Sequence, residues 1–178
     1  MREMYFSQKR PLFSLFSCFC VEYDDDDRGL ISTTLGRIAS YYYLSHLTVQ
    51  HFKDNLCNDM SVEEILEVLC DSTEFDQLPV RHNEDNVQNP YLAKLVPLDT
   101  STRSMESPNT KTYLLLQAHF SRLALPCSDY YTDLKSVLDQ TIRILQVSSI
   151  IQMIFYFQSK SLQRLSGRNF SHTVYEKR

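Results

Sequence analysis

Only three glycines occur in the 178-residue chain, Gly29, Gly36 and Gly167, and no other feature constrains its fold more. Glycine supplies the positive φ angles that tight hairpins need, so a sandwich of many short strands would use more of it. The scarcity argues for helices. It also excludes two phosphate cradles, because neither GxGxxG nor GxxxxGK[ST] can be written with these positions. The chain thus lacks the usual backbone loop for holding ATP. Its length suits one compact domain or two small ones.

Charge narrows the partners. The formal net charge is −4, and an acidic chain is a poor autonomous nucleic-acid binder, since phosphate contact needs clustered Lys and Arg. Positive charge gathers at one end, where Lys160, Arg164, Arg168, Lys177 and Arg178 stand against Glu176. Cys18, Cys20, Cys57, Cys70 and Cys127 follow no framework spacing and read as reduced, buried thiols. Cys18 and Cys20 would share one face of a strand, but no CxxC and no second pair supports a metal. The apolar run Leu12–Val21 follows Lys9 and Arg10 as in a signal peptide, yet its cleavage signal is poor. Its rough period-two alternation reads better as a buried strand ending at Asp24–Asp27, a solvated hairpin tip or loop. The longest apolar stretch, Ile150–Phe157, is far too short to span a bilayer.

Periodicity supplies the helices. Residues 30–56 read as one long helix capped near Ser32, Thr33 or Thr34, with Ile38, Tyr42, Val49, Phe52 and Leu56 on one face. Gly36 lets the chain turn or lets another element approach closely. Ser61 and Glu64 form a capping box before an apolar stripe of Val62, Ile65, Leu66 and Leu69. Pro79, Pro90 and Pro97 punctuate an extended piece and a short helix around Leu92–Val96. Ser107-Pro108 is an N-cap with proline at N1. The helix it opens carries Leu114, Leu115, Leu116, Phe120, Leu123 and Leu125, so it belongs at the centre of a bundle. Ser128 or Asp129 caps the next helix, whose apolar face is Leu134, Val137, Leu138, Ile142 and Leu145. On a helical wheel Arg143 lies beside Asp139 and Gln146, as a surface arginine with a carboxylate at i−4. Past Gln146, "VSSIIQMIFYF" reads as either a continued buried helix or a β-prone run.

Constellations that look chemical have plainer accounts. In "VRHNED", Arg81 and Glu84 can bridge across a turn while Asn83 or Asp85 caps a helix, so a catalytic or metal role for His82, Glu84 and Asp85 is disfavoured. His46 and His51 point different ways, and His119 reads as a hydrogen-bonded core histidine. Tyr41–Tyr43 spread over about 200° of a helix and read as packing rather than one stacking platform. Cys127 has no sequence-adjacent histidine to make it a nucleophile.

Taken together, "LGRIASYYYLSHLTVQHF", "LPVRHNED", "SPNTKTYLLLQAHFSRLALPC" and "SDYYTDLKSVLDQTIRILQ" resemble the Sec63-type domain that follows the second helicase cassette in Brr-type superfamily-two helicases. The likeness runs in unbroken order from Ser17 to Gln146. It implies that a strand pair over Phe13–Tyr23 closes a winged-helix domain and that the following helices open a helical bundle. The ATPase domains would lie upstream. It further implies that "SVLDQTIRILQ" is the first half of a ratchet helix across the nucleic-acid channel, with Arg143 and Gln146 looking into it. An arginine there meets a phosphate or stacks on a base whatever the sequence. The family continues this helix to a Gly-Trp pair; here there is no Trp, and on the order of 20 residues of helix are missing at Gln146–Val147.

The expectation is a mainly α fold: a partial helical bundle preceded by a short β-hairpin from the end of a winged-helix domain. Residues 1–35 would be that end, 36–157 a truncated Sec63-type bundle, and 158–178 a basic, disordered tail. The expected function is non-catalytic lining of a strand channel, with Arg143 and Gln146 on the strand and no cofactor or metal. Expected partners are single-stranded nucleic acid and other subunits of a helicase complex, with no membrane and a nuclear or cytoplasmic location. The rival expectations are a protein–protein interaction module and a splicing or gene-prediction product that binds no nucleic acid.

Overall fold

The computed structural model describes residues 15–16, 18–24, 29–57 and 59–174, with side chains as far as Ile154. The fold is mainly α. Strand β1 (Val21–Tyr23) pairs antiparallel with β2 (Leu30–Ser32), Val21 opposite Ser32 and Tyr23 opposite Leu30. The Asp24 N–H extends the ladder to the Gly29 carbonyl at 3.0 Å. Asp25–Asp27 of the expected acidic tip lie outside the described residues.

Two expectations fail here. Leu15 and Phe16 are helical rather than extended, and Cys18–Cys20 form a turn in which Phe19 takes φ +55°. The Phe19 N–H returns to the Phe16 carbonyl and the Cys20 N–H to the Leu15 carbonyl, which closes that turn. Leu30–Ser32, expected at the start of a helix, is a strand instead. An antiparallel partner overrides weak local propensity, and β-branched Ile31 suits the strand.

Among the described residues six helices follow: α1 (Thr34–Tyr41), α2 (His46–Asn55), α3 (Val62–Cys70), α4 (Asn89–Ala93), α5 (Pro108–Phe120) and α6 (Ser128–Val174). The single helix expected over 30–56 is broken between α1 and α2, where Tyr43 adopts φ +52°. Ser45 caps α2 with its own side chain, accepting from the Leu47 N–H. Glu74 accepts from the Ser45 N–H at 2.8 Å and from the Thr48 hydroxyl. A carboxylate from a distant turn thus satisfies the new helix end.

Local signals elsewhere hold. Thr33 caps α1 by accepting from the Gly36 N–H at 3.1 Å. A Cβ on Gly36 would stand 2.0 Å from the Cys20 carbonyl oxygen, so the missing side chain lets the turn before β1 lie on α1. The capping box opens α3: the Ser61 N–H donates to the Glu64 carboxylate at 2.7 Å, and the Glu64 N–H donates to the Ser61 hydroxyl at 3.2 Å. Ser107 caps α5 with Pro108 at its first position. Thr110–Ala118 of α5 are all buried, which makes α5 the central helix; Phe120, at its end, is 63% exposed.

The short helix expected around Leu92–Val96 begins earlier, as a π-helical turn over Glu84–Gln88 that runs into α4. Pro90 has no N–H to give and its ring would crowd the preceding turn, so a widened turn relieves both conflicts. Asn83, one of the two residues expected to cap this helix, sits at φ +72° and makes no side-chain cap.

Helix α6 continues across Gln146–Val147 without a break, which decides between the two readings of "VSSIIQMIFYF". Its buried face is Tyr130, Asp133, Val137, Thr141, Ile144, Val147, Ser148 and Ile151. Of the expected face only Val137 is buried, while Ile142 is 61% exposed. The helix is rotated relative to its simplest hydrophobic reading because Asp133 and Thr141 turn inward to bonded partners. It is therefore apolar on two sides, with Ile142, Leu145 and Met153 on the outer one and Leu138 at the edge of the core. No helix among the described residues is long and apolar enough to cross a membrane.

Candidate nucleic-acid interface

Helical spacing places Ser136, Gln140, Arg143, Ile150 and Ile154 along one flank of α6. Ser136 and Gln140 line a groove of about 180 Å³ with Phe75, Leu78 and Pro79. Ile154 closes a larger cavity of about 550 Å³ against the hairpin, α1 and α2. Arg143 falls between the two. It is half-buried, and its Nε is shielded from water with no hydrogen-bond partner among the described residues. It makes no ion pair with Asp139, the partner its wheel position offers. Gln146 is exposed and lies about 60° around the helix from Arg143.

A buried charge cluster fixes how α6 sits. Lys111 of α5 is fully buried, and its Nζ donates to the Pro79 carbonyl at 2.7 Å, Glu84 at 2.6 Å and Asp133 of α6 at 2.7 Å. Three donors meet three acceptors, so the ammonium is fully satisfied. Arg81 adds a fork to Asp133, at 2.5 and 3.1 Å, and a 3.1 Å bond to Glu84. Burial by itself would raise both carboxyls. The bonds from Lys111 and Arg81 outweigh it, and Glu84 and Asp133 both lie below the ordinary carboxylate range. The same carboxylates keep the Arg81 guanidinium firmly charged. Beside the cluster, the Tyr130 hydroxyl donates to Asn89 at 2.6 Å, and Asn89 donates to the Met105 carbonyl at 2.8 Å. The arrangement positions side chains; it presents no free base or nucleophile.

The Arg81–Glu84 bridge was legible at i, i+3, whereas the joining of Lys111 and Asp133 was not. His82 and Asp85 line a surface depression with Val80, Arg81 and Glu106, apart from buried Glu84. The Cys20 thiol donates to the Cys18 carbonyl at 3.8 Å and the Cys18 thiol to Gln50 at 2.9 Å. No group of three His, Cys, Asp or Glu side chains that could hold a metal ion occurs among the described residues. His119, expected in the core, is exposed at the end of α5, where burial stops. Tyr41 and Tyr43, expected to pack between helices, are 78% and 85% exposed, because the chain turns out of α1 there. Sequence reasoning also passed over Arg37, Lys53 and Phe19, which the fold brings to the larger cavity. They are 34 residues apart at the extremes, and no local spacing links them.

Comparison with known proteins gives a consistent result. Residues 32–163 match the Sec63 Brl domain family, a span that crosses Gln146–Val147. The chain is 51% identical over 138 residues to activating signal cointegrator 1 complex subunit 3 of Homo sapiens, covering 78% of this chain and 6% of that protein. It is 50% identical over 127 residues to the DExH-box ATP-dependent RNA helicase DExH14 of Arabidopsis thaliana, covering 71% and 6%. It is 39% identical over 133 residues to the RQC trigger complex helicase SLH1 of Saccharomyces cerevisiae, covering 71% and 7%. The chain thus spans a small fraction of the length of the curated relatives it matches.

Proposed function

The chain belongs to the Sec63 Brl domain family, and from that premise we propose that it lines the strand channel of a superfamily-two helicase without performing the ATPase chemistry itself. Helix α6 is the ratchet element. It holds one nucleic-acid strand against the flank that carries Arg143, with Gln146 on the adjoining face. The observation that carries this reading is Arg143. Its Nε is hidden from water and bonded to nothing among the described residues, and it is the two terminal nitrogens, unpaired among those residues, that would meet a phosphate or a base plane. An arginine whose only task was solubility would sit in water or beside Asp139. Other subunits of a helicase complex are the protein partners, and the setting is nuclear or cytoplasmic.

Fluorescence anisotropy of labelled single strands at low salt tests the proposal. Arg143→Ala is expected to weaken binding about tenfold, equivalent to about 1.4 kcal/mol, and Gln146→Ala by less. Equal affinity in the wild-type chain and Arg143→Ala refutes the assignment.

A second reading, a protein–protein interface, draws on the outer stripe of Ile142, Leu145 and Met153 on α6. Light scattering discriminates: mass that rises with concentration, and stops rising in Ile142→Lys, favours it.

A further inference from the structure

The cavity between the hairpin, α1, α2 and the far part of α6 is not used by Arg143, yet it lies on the same flank of α6. We propose that it is a second strand site, which takes a backbone phosphodiester between Arg37 and Lys53. The inference rests on the strand-channel reading and extends it.

Its walls come from the hairpin, with Phe19 and Glu22, from α1 with Arg37, from α2 with Lys53 and from α6 with Ile154. The volume of about 550 Å³ lies within the range of ligand pockets. Two cations face it, and neither makes an ion pair among the described residues. The Lys53 ammonium lies 3.0 Å from the centre of the Phe19 ring, a cation–π contact that holds it over the cavity. Arg37 is exposed and reaches only the Thr34 hydroxyl, at 3.3 Å. By contrast Arg81, Arg103 and Lys111 are all paired with carboxylates. Phe19 itself is 57% exposed, an open ring edge for a base.

Glu22 sharpens the choice of ligand. It lines the same space, so the described residues of the lining carry a formal charge of one positive unit. That balance suits a phosphodiester, with its single negative charge, and disfavours a terminal phosphate that carries more. The cavity is also held open by backbone. The Thr33 hydroxyl donates to the Phe19 carbonyl at 2.5 Å, the Thr33 N–H donates to the Cys20 carbonyl at 3.1 Å, and Gly36 allows the approach. Arg143 and Ile154 are about 16 Å apart along α6 at about 1.5 Å per residue. A stacked strand covers that span in roughly five nucleotides, so one strand longer than this touches both sites.

The test compares the full chain with Arg37→Gln/Lys53→Gln, Arg143→Ala and, as a remote cationic control, Arg122→Gln. Binding of labelled oligothymidine of about 4 and about 12 nucleotides is measured against salt, with circular dichroism confirming unchanged folding. Loss of the one phosphate held between the two cations should flatten the salt slope by about 0.7 for a single strand. It should also remove most of the affinity gained between the short and long strands. Inorganic phosphate at millimolar concentration should not compete. If Arg143→Ala weakens binding while the double variant keeps the wild-type slope and length gain, the second site is wrong and the channel reading stands. If the double variant weakens binding while Arg143→Ala does not, the cavity binds the strand and the role given to Arg143 is wrong. Equal loss in Arg122→Gln would mean diffuse attraction and would overturn the site, as would failure of the wild-type chain to bind either strand.

Discussion

Replacing Lys111 by methionine should unfold this domain far more readily than any surface change. Methionine keeps the length of the side chain and removes the ammonium. It leaves Glu84 and Asp133 buried, each without its 2.6 or 2.7 Å bond, and orphans the Pro79 carbonyl. Arg81 remains, so the carboxylates are not wholly unpaired. Removing one partner from a buried ion pair costs about 3–5 kcal/mol. For a chain of this size each kcal/mol lowers the Tm by about 2–4 °C, so a fall of roughly 10 °C at pH 7 is expected in a thermal melt followed by circular dichroism. The acid side gives an independent reading. Glu84 and Asp133 are depressed in the folded state. Their stabilisation is therefore present above their unfolded pKa values, near 4, and is lost as pH falls through the folded ones. Without Lys111 both folded values rise, so the acid-unfolding midpoint moves to higher pH. A Lys111→Met protein within 3 °C, or about 1 kcal/mol, of wild type and with an unchanged acid midpoint would show that the cluster does not hold the three elements together.

Gly36→Ala should destabilise the chain by about 1–3 kcal/mol through overpacking, because the new Cβ meets the Cys20 carbonyl, which is backbone; urea unfolding measures it. Ser61→Ala should cost about 1 kcal/mol, read as a lower urea midpoint at constant m, since it removes half of the capping box of α3. Tyr130→Phe should cost about 1–3 kcal/mol, because it leaves the buried Asn89 oxygen without its donor. Ile142→Lys should leave the Tm unchanged to within a degree or two, as the side chain is 61% exposed.

What could be read in the sequence was what neighbours decide among themselves. The capping box at Ser61 and Glu64, the Ser107-Pro108 start and the two-sided apolarity of α5 are contained within one or two turns, and each is found where expected. The break between α1 and α2 was hidden because Glu74, which satisfies the new helix end, lies 29 residues from Ser45. Lys111 was hidden for the same reason: its carboxylates lie 27 and 22 residues away. A lysine in "NTKTY" looks like any solvated lysine until the chain is folded. The rotation of α6 follows from this, since periodicity assumes that Asp133 and Thr141 prefer water. The proposal for Arg143 comes from family resemblance, since its local spacing suggests only a surface pair with Asp139. Arg37, Lys53 and Phe19 have no common period at all, and only the docking of the hairpin onto α1 and α2 brings them together.

The docking of the hairpin also makes thiol chemistry a timepiece. Cys18 and Cys20 lie in the turn that leads into β1 and are 0% and 2% exposed, while Cys57 is open to solvent. Burial, with Cys18 beside it, raises the Cys20 thiol above its ordinary range, so it is unreactive while the hairpin is seated. A thiol reagent should therefore modify Cys57 at once and the buried pair only when the hairpin lifts from α1. With Cys70, which is also buried, and half-buried Cys127 replaced by alanine, the slow phase of labelling reports openings of the wall beside Lys53.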